Sequence, residues 1–207
     1  NWALQGRYPP ASTIKPAIGM YGLSNNIVDW DFEMKDPGFF TLPETGRVFR
    51  GWRKGGHGKV NLQKAFLVSS NTYFFSLAYQ ADIEELSNYL KSLGFGQKVC
   101  LDCFDEDQAL VPTPEWKYSI MNVGWVKGDT VNIGVGQGYL LVTPMQLANY
   151  ASLLAKKGTF NEPAIVTQDK LKKPFDSNLN IAADYKQQLL LRKKKLWKVC
   201  YLNQLIS

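Results

Sequence analysis

Arg7-Tyr8-Pro9-Pro10-Ala11-Ser12-Thr13-Ile14-Lys15-Pro16 is the stretch on which the reading of this chain turns. Tyr8-Pro9-Pro10 predicts an extended entry. A helix is expected from Ser12 onward, because serine is a favoured N-terminal cap and Pro16 is tolerated only near a helix start. Ser12-Thr13-Ile14-Lys15 is an S-x-x-K, and positions i and i+3 share one helix face, which brings a hydroxyl near an amine. A serine hydroxyl keeps its proton at neutral pH and needs a neighbouring base to become a nucleophile. Lysine can serve when burial or polar neighbours lower its pKa. Alone the motif is weak, since a capping serine with a solvated lysine has the same pattern.

Outward from it, Ser69-Ser70-Asn71 lies between two expected helices, one capped by Asn61 and one starting just after Asn71. It offers a hydroxyl for a proton relay and an amide for a substrate carbonyl; an ordinary capping turn would look the same. Residues 29–58, rich in Gly, Pro and aromatics, read as a long ordered loop with at most a short hairpin. Asp82 caps the clearest helix, with Glu85 three residues on, a stripe of Ile83, Leu86, Leu90 and Leu93, and Gly94 as the stop. Lys98 to Phe104 reads as a strand. Val131 to Val135 alternates and runs into a glycine-rich turn. Thr143-Pro144-Met145-Gln146 starts a helix with Leu147, Tyr150, Ala151 and Leu154 facing inward and Gly158 at its end.

Composition narrows the function classes. The 207 residues are 45% hydrophobic, enough for one sizeable core. No apolar run is long enough to cross a bilayer, and no signal-peptide pattern is present. The chain starts at Asn1 rather than Met, so a longer protein with an upstream anchor is expected. The net charge of +6 comes from Lys186, Arg192, Lys193, Lys194, Lys195 and Lys198, and the remaining Lys and Arg balance the 18 acids. That tail reads as a solvated arm rather than a nucleic-acid reader, and no RNA- or DNA-binding signature accompanies it. Gln187 to Val199 fits either a basic amphipathic helix or a poorly ordered end. Of the three cysteines, Cys100 and Cys103 have C-x-x-C spacing. A plain buried pair outweighs a redox or disulfide role here, because no βαβ context surrounds it. A zinc site would need a second ligand pair.

S-x-x-K, a Ser-Asx pair and Lys-Thr-Gly together form the set of serine β-lactamases and penicillin-binding proteins. The stretch from Arg7 to Pro16 resembles the active-site entry of class B penicillin-binding proteins. Gly134-Val135-Gly136-Gln137-Gly138 followed by Thr143-Pro144-Met145-Gln146-Leu147-Ala148 resembles that family's glycine-rich turn and following helix. Gly56-His57-Gly58-Lys59-Val60-Asn61-Leu62 and Ser70-Asn71-Thr72-Tyr73-Phe74 resemble its elongation-type branch from rod-shaped bacteria. The resemblance covers residues 2 to 160. It implies an α+β fold, a five-stranded antiparallel sheet covered by helices, with the site at a sheet edge. It implies peptidoglycan D,D-transpeptidation on the periplasmic side of the inner membrane, tethered through an upstream anchor. Stem peptides would be the substrates, β-lactams would acylate the same serine, and cell-wall elongation proteins would be the partners. No cofactor and no nucleic acid are implied. Ser12 would be the nucleophile, Lys15 its activator and Ser69 a proton-transfer assistant. Asn71 would hold the acyl side chain, and backbone N–H groups, one of them Ser12's own, would form the oxyanion hole.

The sequence departs from the family in three places. No Lys-[Ser/Thr]-Gly occurs in it; Lys156-Lys157-Gly158-Thr159 reads as a decoy at a helix end. Residues 161–207 read as an atypical Lys-rich tail, frameshifted or disordered, after a partial catalytic domain over 1–160. An inactive truncated remnant, or a module that only binds partners of the cell-wall machinery, is therefore the alternative to an active enzyme. A serine β-lactamase is disfavoured because no dedicated deacylating base is identifiable. His57 is the only histidine, and it reads as a structural residue in a glycine-rich turn, so no Ser-His-Asp triad is expected. Some family members carry a zinc site built from two acids, a histidine and a cysteine. Matching leaves Asp36 and His57 in place, with Gly51 and Ser70 at the other two positions, so no metal is expected.

Overall fold

The computed structural model describes residues 1–159 and 162–165. The chain forms two compact units, one of residues 1–8, 90–110 and 141 onward, the other of residues 9–89 and 111–140. Residues 166–207 of the Lys-rich tail, with its expected helix and Cys200, lie outside the described residues.

In the unit of residues 9–89 and 111–140, the chain enters as a 3-10 helix, Ala11–Ile14, that runs directly into α2 (Lys15–Ser24); a short α1 (Trp2–Gln5) precedes it in the other unit. Ser12 is not the expected cap. It lies inside the 3-10 turn, and no side chain caps that turn or α2, so its hydroxyl stays free for other contacts. The expected loop over 29–58 is two antiparallel ladders. β1 (Glu33–Asp36) pairs with β4 (Gly58–Asn61), and β2 (Phe39–Thr41) pairs with β3 (Val48–Arg50). These strands are three or four residues long, too short for a period-2 pattern to be visible. Asn61 caps α3 (Leu62–Leu67) by accepting from the Lys64 N–H at 2.9 Å. Ser70 caps α4 (Asn71–Gln80).

The core of this unit is built from Ile14, Ala17, Ile18 and Tyr21, with Leu62, Ala65, Phe74, Leu77 and Ala78 and, from α7 (Lys127–Ile133), Val131 and Ile133. α7 corrects the alternating reading of residues 131–135. Asp129 in its first turn accepts from the Val126 N–H at 3.1 Å and from the buried Lys117 amine at 2.7 Å, which fixes the helix start. The apolar residues then bury against α4, and packing overrides their β-propensity. α6 (Pro114–Met121) is capped by Thr113 and ends at Asn122. α5 (Ile83–Ser92) begins as expected, with Asp82 accepting from the N–H groups of Glu84 and Glu85 at 2.9 and 3.0 Å.

In the unit of residues 1–8, 90–110 and 141 onward, α8 (Pro144–Ala155) has the predicted capping box, each bond between Thr143 and Gln146 being 3.1 Å. Its inward face differs from the prediction. Gln146, Asn149, Tyr150 and Leu153 are buried, while Ala151 is exposed. The Gln146 amide donates to the carbonyls of Gln97 and Gln108, so a polar side chain occupies a core position. Gly158, in the left-handed region, closes the helix onto Leu153 O, which is the capping task assigned to the Lys156–Thr159 string. Residues 98–104 are not a strand. The Glu106 carboxylate takes the N–H groups of Val99 and Cys100, each at 2.8 Å, and Cys100 and Cys103 form a disulfide, which curls the segment. The disulfide also corrects the reading of the pair as plain buried thiols. Among the described residues the strands form two two-stranded sheets, and no helix is long and apolar enough to cross a membrane.

Candidate active site

Four residues named from the sequence converge in the unit of residues 9–89 and 111–140. The Lys15 side chain is 2% exposed. Its Nζ donates to three acceptors from one turn: Ser69 O at 2.9 Å, Ser69 Oγ at 2.9 Å and Asn71 Oδ1 at 2.6 Å. Ser69 Oγ in turn donates to Ser12 Oγ at 3.1 Å. The hydrogen-bonded path from the amine to Ser12 thus passes through Ser69, although the i, i+3 spacing suggested a direct meeting of Lys15 and Ser12. The Phe74 ring lies 5.5 Å from Nζ and closes the apolar side. Burial costs the ammonium its hydration and lowers the Lys15 pKa to about 8.

Local backbone geometry makes this possible. Ser69 has φ +50, a left-handed conformation that costs a non-glycine residue roughly 1–2 kcal/mol. That conformation lets its carbonyl and its hydroxyl reach the same amine. The turn lies between Val68, the last cap of α3, and Ser70, the cap of α4, so two helices fix its ends. Ala11, the residue before Ser12, also has positive φ, and its N–H donates to Gly136 O at 2.9 Å. A Cβ on Gly136 would stand 2.2 Å from Ala11 O, so only glycine allows this approach. The glycine-rich turn after α7 therefore buttresses the 3-10 turn that carries Ser12.

With Lys15 neutral, two of its N–H bonds can go to Ser69 O and Asn71 Oδ1 while its lone pair faces the Ser69 hydroxyl. The two hydroxyls then link Ser12 Oγ to that nitrogen through hydrogen bonds. Because Lys15 occupies Asn71 Oδ1, the amide's NH2 is its remaining donor, the polarity needed to hold a carbonyl.

Trp52 was not singled out from the sequence, and Asp36 and His57 were matched only to a metal site. Trp52 Nε1 donates to Ser69 O at 3.2 Å and Val68 O at 3.3 Å, bracing the turn. Behind it, Asp36 and His57 are brought together because Asp36 pairs with Gly58 in the β1–β4 ladder. Asp36 Oδ2 accepts from His57 Nδ1 at 2.8 Å and from Ser70 Oγ at 2.7 Å. Burial alone would raise the Asp36 pKa, but these bonds, with one from the Gly38 N–H, outweigh it and hold the pKa below the usual carboxylate range. The residues do not fit the zinc site of some relatives. Only two of them are ordinary metal ligands, and carboxylate, imidazole and hydroxyl bond directly to one another.

A buried, neutralisable lysine wired through one serine to another is the arrangement of a serine acyl-transfer site. The chain belongs to the penicillin binding protein transpeptidase domain family, whose match spans residues 1–199. It is 43% identical over 175 residues to peptidoglycan D,D-transpeptidase MrdA of Acinetobacter baumannii, covering 84% of this chain and 26% of that protein. It is 42% identical over 164 residues to MrdA of Haemophilus influenzae, covering 79% of this chain and 25% of that one. The chain thus spans about a quarter of the length of these curated relatives. Among solved structures it is similar to Pseudomonas aeruginosa PBP2 in complex with WCK 5153, at TM-score 0.77 and 41% identity, covering 79% of this chain and 36% of that one. It is also similar to Helicobacter pylori PBP2 in complex with MreC, at TM-score 0.80 and 32% identity, covering 97% and 36%. The family resemblance and the α+β fold read from the sequence are borne out.

Proposed function

We propose that this chain carries the nucleophile side of a peptidoglycan D,D-transpeptidase site. The observation behind this reading is the unbroken path Ser12 Oγ–Ser69 Oγ–Lys15 Nζ, with contacts of 3.1 and 2.9 Å. Neutral Lys15 takes the Ser69 proton as Ser69 takes the Ser12 proton, and Ser12 Oγ attacks the carbonyl between the two D-alanines of a stem peptide. Backbone N–H groups, including that of Ser12, receive the oxyanion. Collapse breaks the peptide bond, the relay returns its proton to the departing D-alanine amine, and an ester on Ser12 remains. An amine of a neighbouring stem then attacks that ester, the new amide forms as the ester C–O bond breaks, and the amine's proton returns through Lys15 and Ser69 to Ser12 Oγ. The Asn71 NH2 holds the acyl side chain, and a β-lactam acylates Ser12 in the same way. The expected setting is the periplasmic face of the inner membrane, among cell-wall elongation proteins, with the membrane reached through an upstream anchor.

The alternative reading is an inactive remnant or a partner-binding module of the cell-wall machinery. Incubation with a fluorescent penicillin, read by intact mass, separates the two. A single adduct that disappears in Ser12→Ala supports the enzyme. Absence of an adduct from protein shown to be folded by circular dichroism sinks it.

A further inference from the structure

The turn that holds Lys15 is itself held from behind. Ser69 and Asn71 both face the amine, and the residue between them, Ser70, is fully buried and bonded elsewhere. Its Oγ donates to Asp36 Oδ2 at 2.7 Å and accepts from the Tyr73 N–H at 3.2 Å, so one hydroxyl ties the turn both to β1 and to the start of α4. Asp36, 2% exposed, accepts from Ser70, His57 and the Gly38 N–H. The backbone around it has no slack, because a Cβ on Gly56 would stand 2.1 Å from Asp36 O. The His57 ring lies 5.3 Å from that of Trp52, whose indole N–H reaches Ser69 O. The cluster therefore reaches the Lys15 acceptors by two routes, through Ser70 and through Trp52.

We infer that Asp36, His57 and Ser70 are positioning residues, a buried hydrogen-bonded anchor that does the task of a structural metal by fixing the turn that presents Ser69 and Asn71 to Lys15. Its consequence for acylation rests on the transpeptidase reading above. Catalytic geometry held by such a supporting layer is lost when the layer loosens, without loss of the fold. Asp36→Asn keeps the shape but replaces one acceptor oxygen with a donor, so the side chain cannot satisfy three donors. Ser70→Ala removes both bonds, and Ser70→Thr keeps the hydroxyl that makes them.

The test uses the full 207-residue protein. Acylation by a fluorescent penicillin is followed across antibiotic concentrations, at a temperature where circular dichroism shows each variant folded. In parallel, the Lys15 Nζ resonance is followed in 15N-lysine-labelled protein, assigned with Lys15→Arg. For Asp36→Asn and Ser70→Ala the limiting acylation rate should fall at least about tenfold, the loss expected of sub-ångström misplacement, with the half-saturating concentration within about twofold. The Lys15 resonance should move toward those of the exposed lysines, and Ser70→Thr should restore both readouts. Folded variants with unchanged rate and resonance would overturn the inference, as would a Ser70→Thr protein that behaves like Ser70→Ala. If Ser70→Ala does not fold, the isosteric Asp36→Asn carries the test. If the parent protein itself does not acylate, the transpeptidase reading falls, and the resonance alone decides the anchor.

Discussion

The acylation rate of Ser12 should follow the neutral fraction of Lys15. Its pKa lies near 8 rather than at the ordinary 10.5, because burial strips water from the ammonium. With a midpoint at 8, the neutral fraction is about 1% at pH 6, about 9% at pH 7, about half at pH 8 and about 90% at pH 9. An exposed lysine would be only about 0.03% neutral at pH 7, so burial enlarges the reactive population about 300-fold. The limiting rate with a fluorescent penicillin, measured at constant ionic strength from pH 6 to 9.5, should rise about ninefold from pH 6 to 7 and about fivefold from pH 7 to 8, then level off. A flat profile, or one still climbing tenfold per unit beyond pH 9, would refute Lys15 as the controlling base. The same group affects stability. Between pH 8 and 10.5 the unfolded chain holds the Lys15 proton and the folded chain does not, so its contribution to stability rises with pH across that window.

Three other outcomes follow from the geometry. Gly136→Ala should destabilise the protein by roughly 3 kcal/mol, since the Cβ meets Ala11 O in a left-handed backbone, and chemical denaturation reads this directly. Thr143→Ala should cost about 1 kcal/mol by the same assay, through loss of the Gln146 N–H acceptor. Of the three cysteines, only Cys200 should be alkylated in denatured, unreduced protein, and all three after reduction; opening the Cys100–Cys103 loop should cost about 2 kcal/mol.

The sequence was informative wherever a local signal also carried the structure. Asn61, Asp82 and Thr143 cap the helices they were expected to cap, because capping chemistry is complete within four residues. Ser12, Lys15, Ser69 and Asn71 come together because the motifs are rigid turns on helix starts. What was missed depended on partners far away in the chain. Val131 and Ile133 alternate like a strand, yet Asp129 and the face of α4 make them helical. Gln146 takes a core position because two carbonyls from other segments receive its amide. Asp36, His57 and Ser70 were grouped only as positions of a metal site lacking its ligands; the direct bonds among them, across 21 and 34 residues, depend on the fold.

Ser69 presents two oxygens to one nitrogen, a main-chain carbonyl and a side-chain hydroxyl, both at 2.9 Å. Grip and conduction are thus separable within a single residue. Any residue that tolerates the left-handed backbone keeps the grip, because the carbonyl belongs to every amino acid; only a hydroxyl supplies the conduction. On the transpeptidase reading proposed above, replacing Ser69 with alanine would leave the amine moored but disconnected, with Lys15 in place and no hydroxyl between it and Ser12.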